Sequence, residues 1–141
     1  MDDSQEHNLG ALVTQWYKKN GRQNLPWRKS VTPYKVWISE MMLQQTQVVT
    51  AQSYYRKFLK KYPSLSSMKM ATEDDILSLW SGLGYYRRAS FIYQAKEKIF
   101  LDFNGRFPTT YDELITLPGI GRSTAGAISV SYTHLRAHET N

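Results

Sequence analysis

An all-α fold is what this sequence predicts, and three observations carry it. Apolar residues recur at helical intervals of three and four in every long periodic segment. Capping residues stand just ahead of several of those segments. No stretch alternates apolar with polar residues for long enough to read as a strand, and no repeat or low-complexity segment interrupts the chain. The 141 residues make about one domain's length.

The first stripe is Leu9, Leu12, Val13, Trp16 and Tyr17, an amphipathic helix over roughly 7–20. A polar stretch over 21–32 breaks it. Thr32 and Pro33 then open a second helix, with threonine as N-cap and proline at the first helical position. That helix carries Tyr34, Trp37, Ile38, Met41 and Met42 inward. A third spans about 48–61, with Val48, Val49, Ala51, Tyr55, Phe58 and Leu59 on its inner face and Pro63 ending it. Thr72, with Asp75 three residues on, begins a short helix through Trp80 in the manner of a capping box. The Gly82-Leu83-Gly84 stop separates it from a long helix over about 86–103. Its inner face is Ala89, Ile92, Tyr93, the stem of Lys96, Ile99, Phe100 and Phe103. Thr110 and Glu113 cap a short helix ending near Thr116, and a final small-residue helix runs from 122 to about 130. Residues 131–141 (SYTHLRAHETN) continue neither that helix nor its composition, and the first helix has no evident neighbour in a bundle formed by 34–130.

Composition excludes much. The sequence holds no cysteine, which rules out disulfides, thiolate-bound zinc, iron–sulfur ligation and a thiol nucleophile in these residues. The three histidines lie at position 7 and at 134 and 138, so a histidine-centred triad or metal site is not expected. No apolar run approaches the roughly 18 residues a membrane span needs, and the acidic start is unlike a signal peptide. A soluble intracellular protein is therefore expected. Charge is uneven: residues 7–72 hold eleven Lys/Arg against one acid, Glu40, whereas 73–141 hold seven basic and eight acidic residues. A basic half interleaved with Trp, Tyr and Gln suits a polyanion, since phosphate contacts dominate nucleic-acid affinity. It also suits a plain solvated face.

Three groups of residues carry chemistry. In the turn 117–121 (LPGIG), two glycines leave backbone N–H groups unobstructed at a helix N-terminus, an anion site suited to one phosphate. Arg122, Ser123 and Thr124 add donors there, and the following small residues let the helix pack closely, as in a helix–hairpin–helix motif. Glu40 is the only carboxylate between Glu6 and Glu73. Its helical neighbours Val36, Trp37, Leu43 and Gln44 are mostly apolar, and a carboxyl buried in such a pocket holds its proton to higher pH and can act as a general acid. It could instead serve the helix dipole or pair with a lysine. Lastly, Leu43-Gln44-Gln45-Thr46 and Gly82-Leu83-Gly84-Tyr85-Tyr86 lie at helix ends, where an amide or a ring can wedge into a base stack. A core or capping role for them stays open, for Tyr86 more than for Tyr85.

The strings LPWR (25–28), TPYKVWISEMMLQQTQV (32–48), LWSGLGYYRRA (79–89) and LPGIGRSTAGAI (117–128) resemble the N-terminal half of MutY-type adenine DNA glycosylases. That family lies within the helix–hairpin–helix DNA glycosylase superfamily, and the likeness runs in unbroken order from about Trp16 to Val130. It implies a six-helix-barrel domain and removal of adenine opposite 8-oxoguanine or guanine in base-excision repair. By motif position it implies that Glu40 is the acid that protonates the flipped adenine. Arg22, Leu25 and Trp27 would form the adenine pocket. Gln44 and Tyr85 would insert into the duplex near the damaged base, Gln45 and Thr46 would also meet it, and Leu117, Gly119, Gly121, Arg122 and Thr124 would form the phosphate-binding hairpin. Ser123 stands where bifunctional relatives like endonuclease III carry the lysine that forms a Schiff base, so the resemblance implies a monofunctional hydrolase. A bifunctional glycosylase/lyase and a non-catalytic DNA-binding module are the competing readings.

There are also departures. The family has a catalytic aspartate beyond the hairpin helix, and no aspartate follows Asp112 here. The four cysteines of the family's [4Fe–4S] cluster and the domain that reads 8-oxoguanine are not in this sequence, so no cofactor or metal is expected on these residues. The expected organisation is an N-terminal helix and pocket loop over 1–29 that would pack on the cluster domain, an incomplete helical domain over 30–130, and a foreign tail over 131–141. Such a truncated chain is expected to have little or no activity. The expected partner is duplex DNA with an A:8-oxoguanine or A:G mismatch, met as a monomer away from membranes. The compartment would be a bacterial cytoplasm, at the nucleoid, or a eukaryotic nucleus.

Overall fold

A computed structural model describes residues 32–139, and these contain six α-helices and no strand. The stripe over 7–20 and the pocket residues Arg22, Leu25 and Trp27 lie outside the described residues.

Helix α1 (Pro33–Leu43) starts as the sequence predicts: Thr32 Oγ1 accepts the Lys35 N–H at 3.2 Å, and Pro33 sits in the first turn, where its missing N–H costs nothing. The five residues expected inward, Tyr34, Trp37, Ile38, Met41 and Met42, are all buried, and the burial extends further round the helix. Every residue except Lys35 is buried, because α1 runs through the middle of the molecule against α2 (Val48–Lys61), α4 (Arg87–Asp102) and α6 (Arg122–Glu139). Its one small polar residue, Ser39, returns its hydroxyl to the Val36 carbonyl at 2.8 Å and so is satisfied within the helix.

Helix α2 buries Ala51, Tyr55, Phe58 and Leu59, but Val49 is 80% exposed rather than inward. It stands one residue off the i, i+3, i+4 row set by Ala51, Tyr55 and Phe58. A 3-10 turn (Ser66–Met68) leads into α3 (Glu73–Leu79), which begins with a complete capping box. Thr72 Oγ1 accepts the Asp75 N–H at 3.1 Å, and the Asp75 carboxylate accepts the Thr72 N–H at 2.9 Å. Trp80 is the C-cap of α3 and stacks edge-on against Phe58, their centroids 6.4 Å apart.

In α4 the expected inward residues Ala89, Ile92 and Ile99 are buried, while Tyr93, Phe100 and Phe103 are half-buried against the core. Lys96 departs from expectation. Its whole side chain is buried, not the stem alone, because its ammonium finds the Ala71 carbonyl (2.9 Å), the Lys69 carbonyl (3.3 Å) and Glu97 Oε1 (2.6 Å). Charge inside a protein is tolerated when it is paired and hydrogen-bonded in this way. Thr110 caps the short helix α5 (Tyr111–Leu114) through the Glu113 N–H at 3.2 Å. Helix α6 does not stop near 130 but continues to Glu139, since no glycine or proline follows Gly126 to end it. The compositional change at 131 is therefore not a structural break.

Candidate nucleic-acid interface and buried acid

Three pieces of backbone frame the site: the end of α1 with the turn after it, the loop before α4, and the hairpin between α5 and α6. The hairpin is built as its sequence demands. Leu117 is 2% exposed and anchors the turn in the core, and its carbonyl accepts the Ile120 N–H at 3.1 Å. Gly119 has a φ of +78°, and a Cβ there would lie 2.6 Å from Phe91 Cβ, so only glycine fits. Gly121 has an ordinary φ and open space where its Cβ would be, and its carbonyl starts α6 by accepting the Ala125 N–H at 2.9 Å. The first N–H groups of a helix lack intrahelical acceptors, and here they face an approach kept clear by a glycine.

Around this N-terminus the expected donors divide. Arg122 is exposed and Ser123 half-buried. Thr124 is buried and faces inward: its Oγ1 accepts from Gln44 Nε2 at 3.4 Å. Thr124 therefore ties the hairpin helix to the end of α1 instead of adding a surface donor. Leu117 likewise contributes packing, not an exposed side chain.

Glu40 lies in α1 one turn before that end. It is 2% exposed, and its Oε1 has no hydrogen-bond partner among the described residues. Val36, Trp37 and Leu43 around it on the helix are buried too. Burial disfavours the carboxylate and pushes the Glu40 pKa up to about 7. The result is a carboxyl group that holds a proton near neutral pH and has a free oxygen to offer.

The two expected wedge segments flank this acid. Gln44 is the C-cap of α1 and half-buried, and Thr46 returns its hydroxyl to the Gln44 carbonyl at 3.4 Å. Gln45 is exposed with a φ of +59°. In the second loop Gly82 and Gly84 have φ of +89° and +85°, and Tyr85, 60% exposed, has a φ of +50°. Tyr86 is 48% exposed rather than core, and its hydroxyl accepts the Gly82 N–H at 3.2 Å. Non-glycine residues in the left-handed region are uncommon and cluster at functional sites.

The residue that sequence reasoning missed is Arg88. It is buried in the first turn of α4, and its guanidinium donates to the carbonyls of Met41, Met42, Gln44, Gly84 and Tyr85. Its partners near Met41 lie more than forty residues away, beyond any local pattern. The one available signal was an arginine in the first turn of a helix, where the dipole disfavours a cation.

A buried carboxyl, two exposed turns and a glycine hairpin at a helix N-terminus share one all-α frame, the arrangement of a helix–hairpin–helix fold. Residues 38–136 match the profile of the HhH-GPD superfamily base excision DNA repair proteins, and the chain belongs to that superfamily. It is 56% identical over 120 residues to the adenine DNA glycosylase of Buchnera aphidicola subsp. Schizaphis graminum, covering 85% of this chain and 35% of that protein. Identity to the human adenine DNA glycosylase is 40% over 129 residues, 85% of this chain and 23% of that one. The chain thus spans about a third or less of the length of these relatives. A thermostable thymine-DNA glycosylase structure shares the fold at a TM-score of 0.68 and 22% identity, covering 94% of this chain and 61% of that one.

Proposed function

We propose that this chain supplies the acid-bearing part of an adenine DNA glycosylase, which hydrolyses the N-glycosidic bond of adenine paired with 8-oxoguanine or guanine in duplex DNA. The observation that carries this is Glu40: a buried carboxyl whose Oε1 has no partner among the described residues and whose pKa is pushed up to about 7, on a helix whose end meets both exposed turns and the hairpin. The names of the two relatives support the choice of adenine.

The steps follow from these positions. The hairpin holds a phosphate through backbone N–H groups. Gln45, exposed where the expected Gln44 is tied to Thr124, and Tyr85 fill the stack as the base leaves it, since an enzyme acting on a base must extrude it. Glu40 gives its proton to a ring nitrogen of the flipped adenine. The bond from C1′ to the base breaks with its electron pair going to the base, which departs neutral. Water adds to C1′ and releases a proton that restores the Glu40 acid. Ser123 cannot form an imine with the sugar, which favours hydrolysis without strand cleavage. On this reading residues 30–130 belong to the helical glycosylase domain, and 1–29 bring Arg22, Leu25 and Trp27 to the base. An iron–sulfur cluster does not fit these residues, because such clusters are held by thiolates and the sequence has none.

The test joins this chain to the remaining two-thirds of the Buchnera relative and measures adenine release from duplexes carrying adenine opposite 8-oxoguanine. Release is expected, with a loss of about a hundredfold or more in Glu40→Gln. A folded, DNA-binding chimera that freed no adenine would overturn the reading.

A further inference from the structure

Both exposed turns are fixed by one side chain. Arg88 is 5% exposed, and its Nη1 donates to the carbonyls of Met41 (2.9 Å), Met42 (2.7 Å) and Gln44 (2.7 Å). Its Nη2 donates to the Gly84 carbonyl at 2.8 Å and its Nε to the Tyr85 carbonyl at 3.2 Å. The guanidinium carbon also lies 5.3 Å from the Trp80 ring centroid and 5.6 Å from that of Tyr85. One fork therefore binds both turns, and at each it holds a carbonyl beside or on a left-handed non-glycine residue, Gln45 or Tyr85.

The energetics explain why an arginine stands here. Its place in the first turn of α4 is unfavourable for a cation, but the same charge lies at the C-terminal end of α1, where carbonyls are unpaired and a cation is favoured. A left-handed non-glycine residue persists only where its surroundings over-determine it. Arginine presents five donors in a rigid plane, whereas a lysine is a point charge on a flexible stem. Two strained residues on separate loops are thus locked to a common base.

We propose that Arg88 is a positioning residue that couples the Gln45 and Tyr85 turns into one unit, so that both enter the base stack together when the target base is extruded. This rests on the glycosylase reading above. Arg88 touches neither base nor sugar; it acts through the two turns.

The test uses the full 141-residue chain and a duplex with 2-aminopurine opposite 8-oxoguanine, whose fluorescence rises on unstacking. Arg88→Lys and Arg88→Gln are compared with the unsubstituted chain, with circular dichroism and undamaged-duplex affinity measured alongside. Arg88→Lys is expected to bind undamaged duplex within about twofold yet lose about fivefold or more of the fluorescence rise. A second set leaves Arg88 intact: Gln45→Gly, Tyr85→Gly and the pair together, which relax one or both turns. Coupled turns predict that either single substitution removes most of what the pair removes; independent turns predict multiplying losses. An undiminished rise in both Arg88 variants, or multiplying losses in the glycine set, would overturn the coupling while leaving the glycosylase reading in place. No rise with the unsubstituted chain would instead overturn base extrusion, and the coupling with it.

Discussion

Among the buried charged side chains, Lys96 and Glu40 are treated in opposite ways by the fold. The Lys96 Nζ is fully partnered, by two carbonyls and Glu97. Glu40 has no such partner for Oε1, and it escapes the cost of a buried charge by keeping its proton. The indole N–H groups of Trp37 and Trp80 also lack partners among the described residues, but they cannot titrate. The consequence for stability has a definite sign. The Glu40 pKa rises from 4.5 to about 7 on folding, so the folded chain binds the proton more tightly than the unfolded one. Below pH 4.5 both states are protonated and no penalty applies; the penalty grows from there to about pH 7 and is then constant. Its full size is roughly 3 kcal/mol, at 1.36 kcal/mol per pKa unit. Glu40→Gln is therefore expected to gain stability over the unsubstituted chain by about 1–3 kcal/mol at pH 8, the gain fading towards pH 5. Urea unfolding at the two pH values measures it, and an equal gap at both would contradict an unpaired acid. On the proposed chemistry the same proton would set activity, so adenine release in the chimera should fall as pH rises through 7.

At the level of elements, the hairpin sets a packed glycine and an open one within three residues of each other. Gly119→Ala places a methyl against Phe91 Cβ at a positive φ, which is expected to cost about 2–4 kcal/mol of stability. Gly121→Ala puts its methyl into open space, so its stability should stay within about 0.5 kcal/mol. If a phosphate seats there, duplex affinity in Gly121→Ala should still fall about tenfold, an effect of about 1.4 kcal/mol. A melt and a binding titration on each variant separate these effects. Unchanged affinity in Gly121→Ala would remove the hairpin from the interface. Such local elements were legible in the sequence because their causes are local: the Thr32, Thr72 and Thr110 caps each act within three residues. Glu40 was legible for a different reason, its isolation from other acids on an apolar helix. The full burial of α1 was not, because an i, i+3, i+4 count finds one apolar face and cannot see neighbours packed on the others. Nor was the thread from Arg88 to the end of α1, or the inward turn of Thr124 towards Gln44, eighty residues away.

Across the whole molecule, the acid and the hairpin are held in one register by the packing of α1 on α6, with Gln44 and Thr124 bridging their ends. The chemistry proposed for Glu40 and the anchoring proposed for the hairpin would thus share a frame, yet draw on different physics. The acid would work through one neutral, desolvated group, whereas anchoring would draw on fixed donors and on the cationic excess of residues 7–72. These contributions respond differently to salt. Every phosphate neutralised releases condensed counterions, so log affinity falls with log salt at a slope of about −0.9 per phosphate contact. With the hairpin and several basic side chains engaged, the chain should bind undamaged duplex with a slope of about −3 or steeper. Glu40→Gln should leave that slope unchanged at pH 6, where the native side chain is mostly uncharged already. Binding isotherms from 50 to 200 mM salt decide the matter. A slope shallower than about −1 would leave room for a single phosphate contact, too few for a basic face that grips DNA. A slope that moved with Glu40→Gln would mean that the acid is charged and faces the phosphates, contrary to its burial.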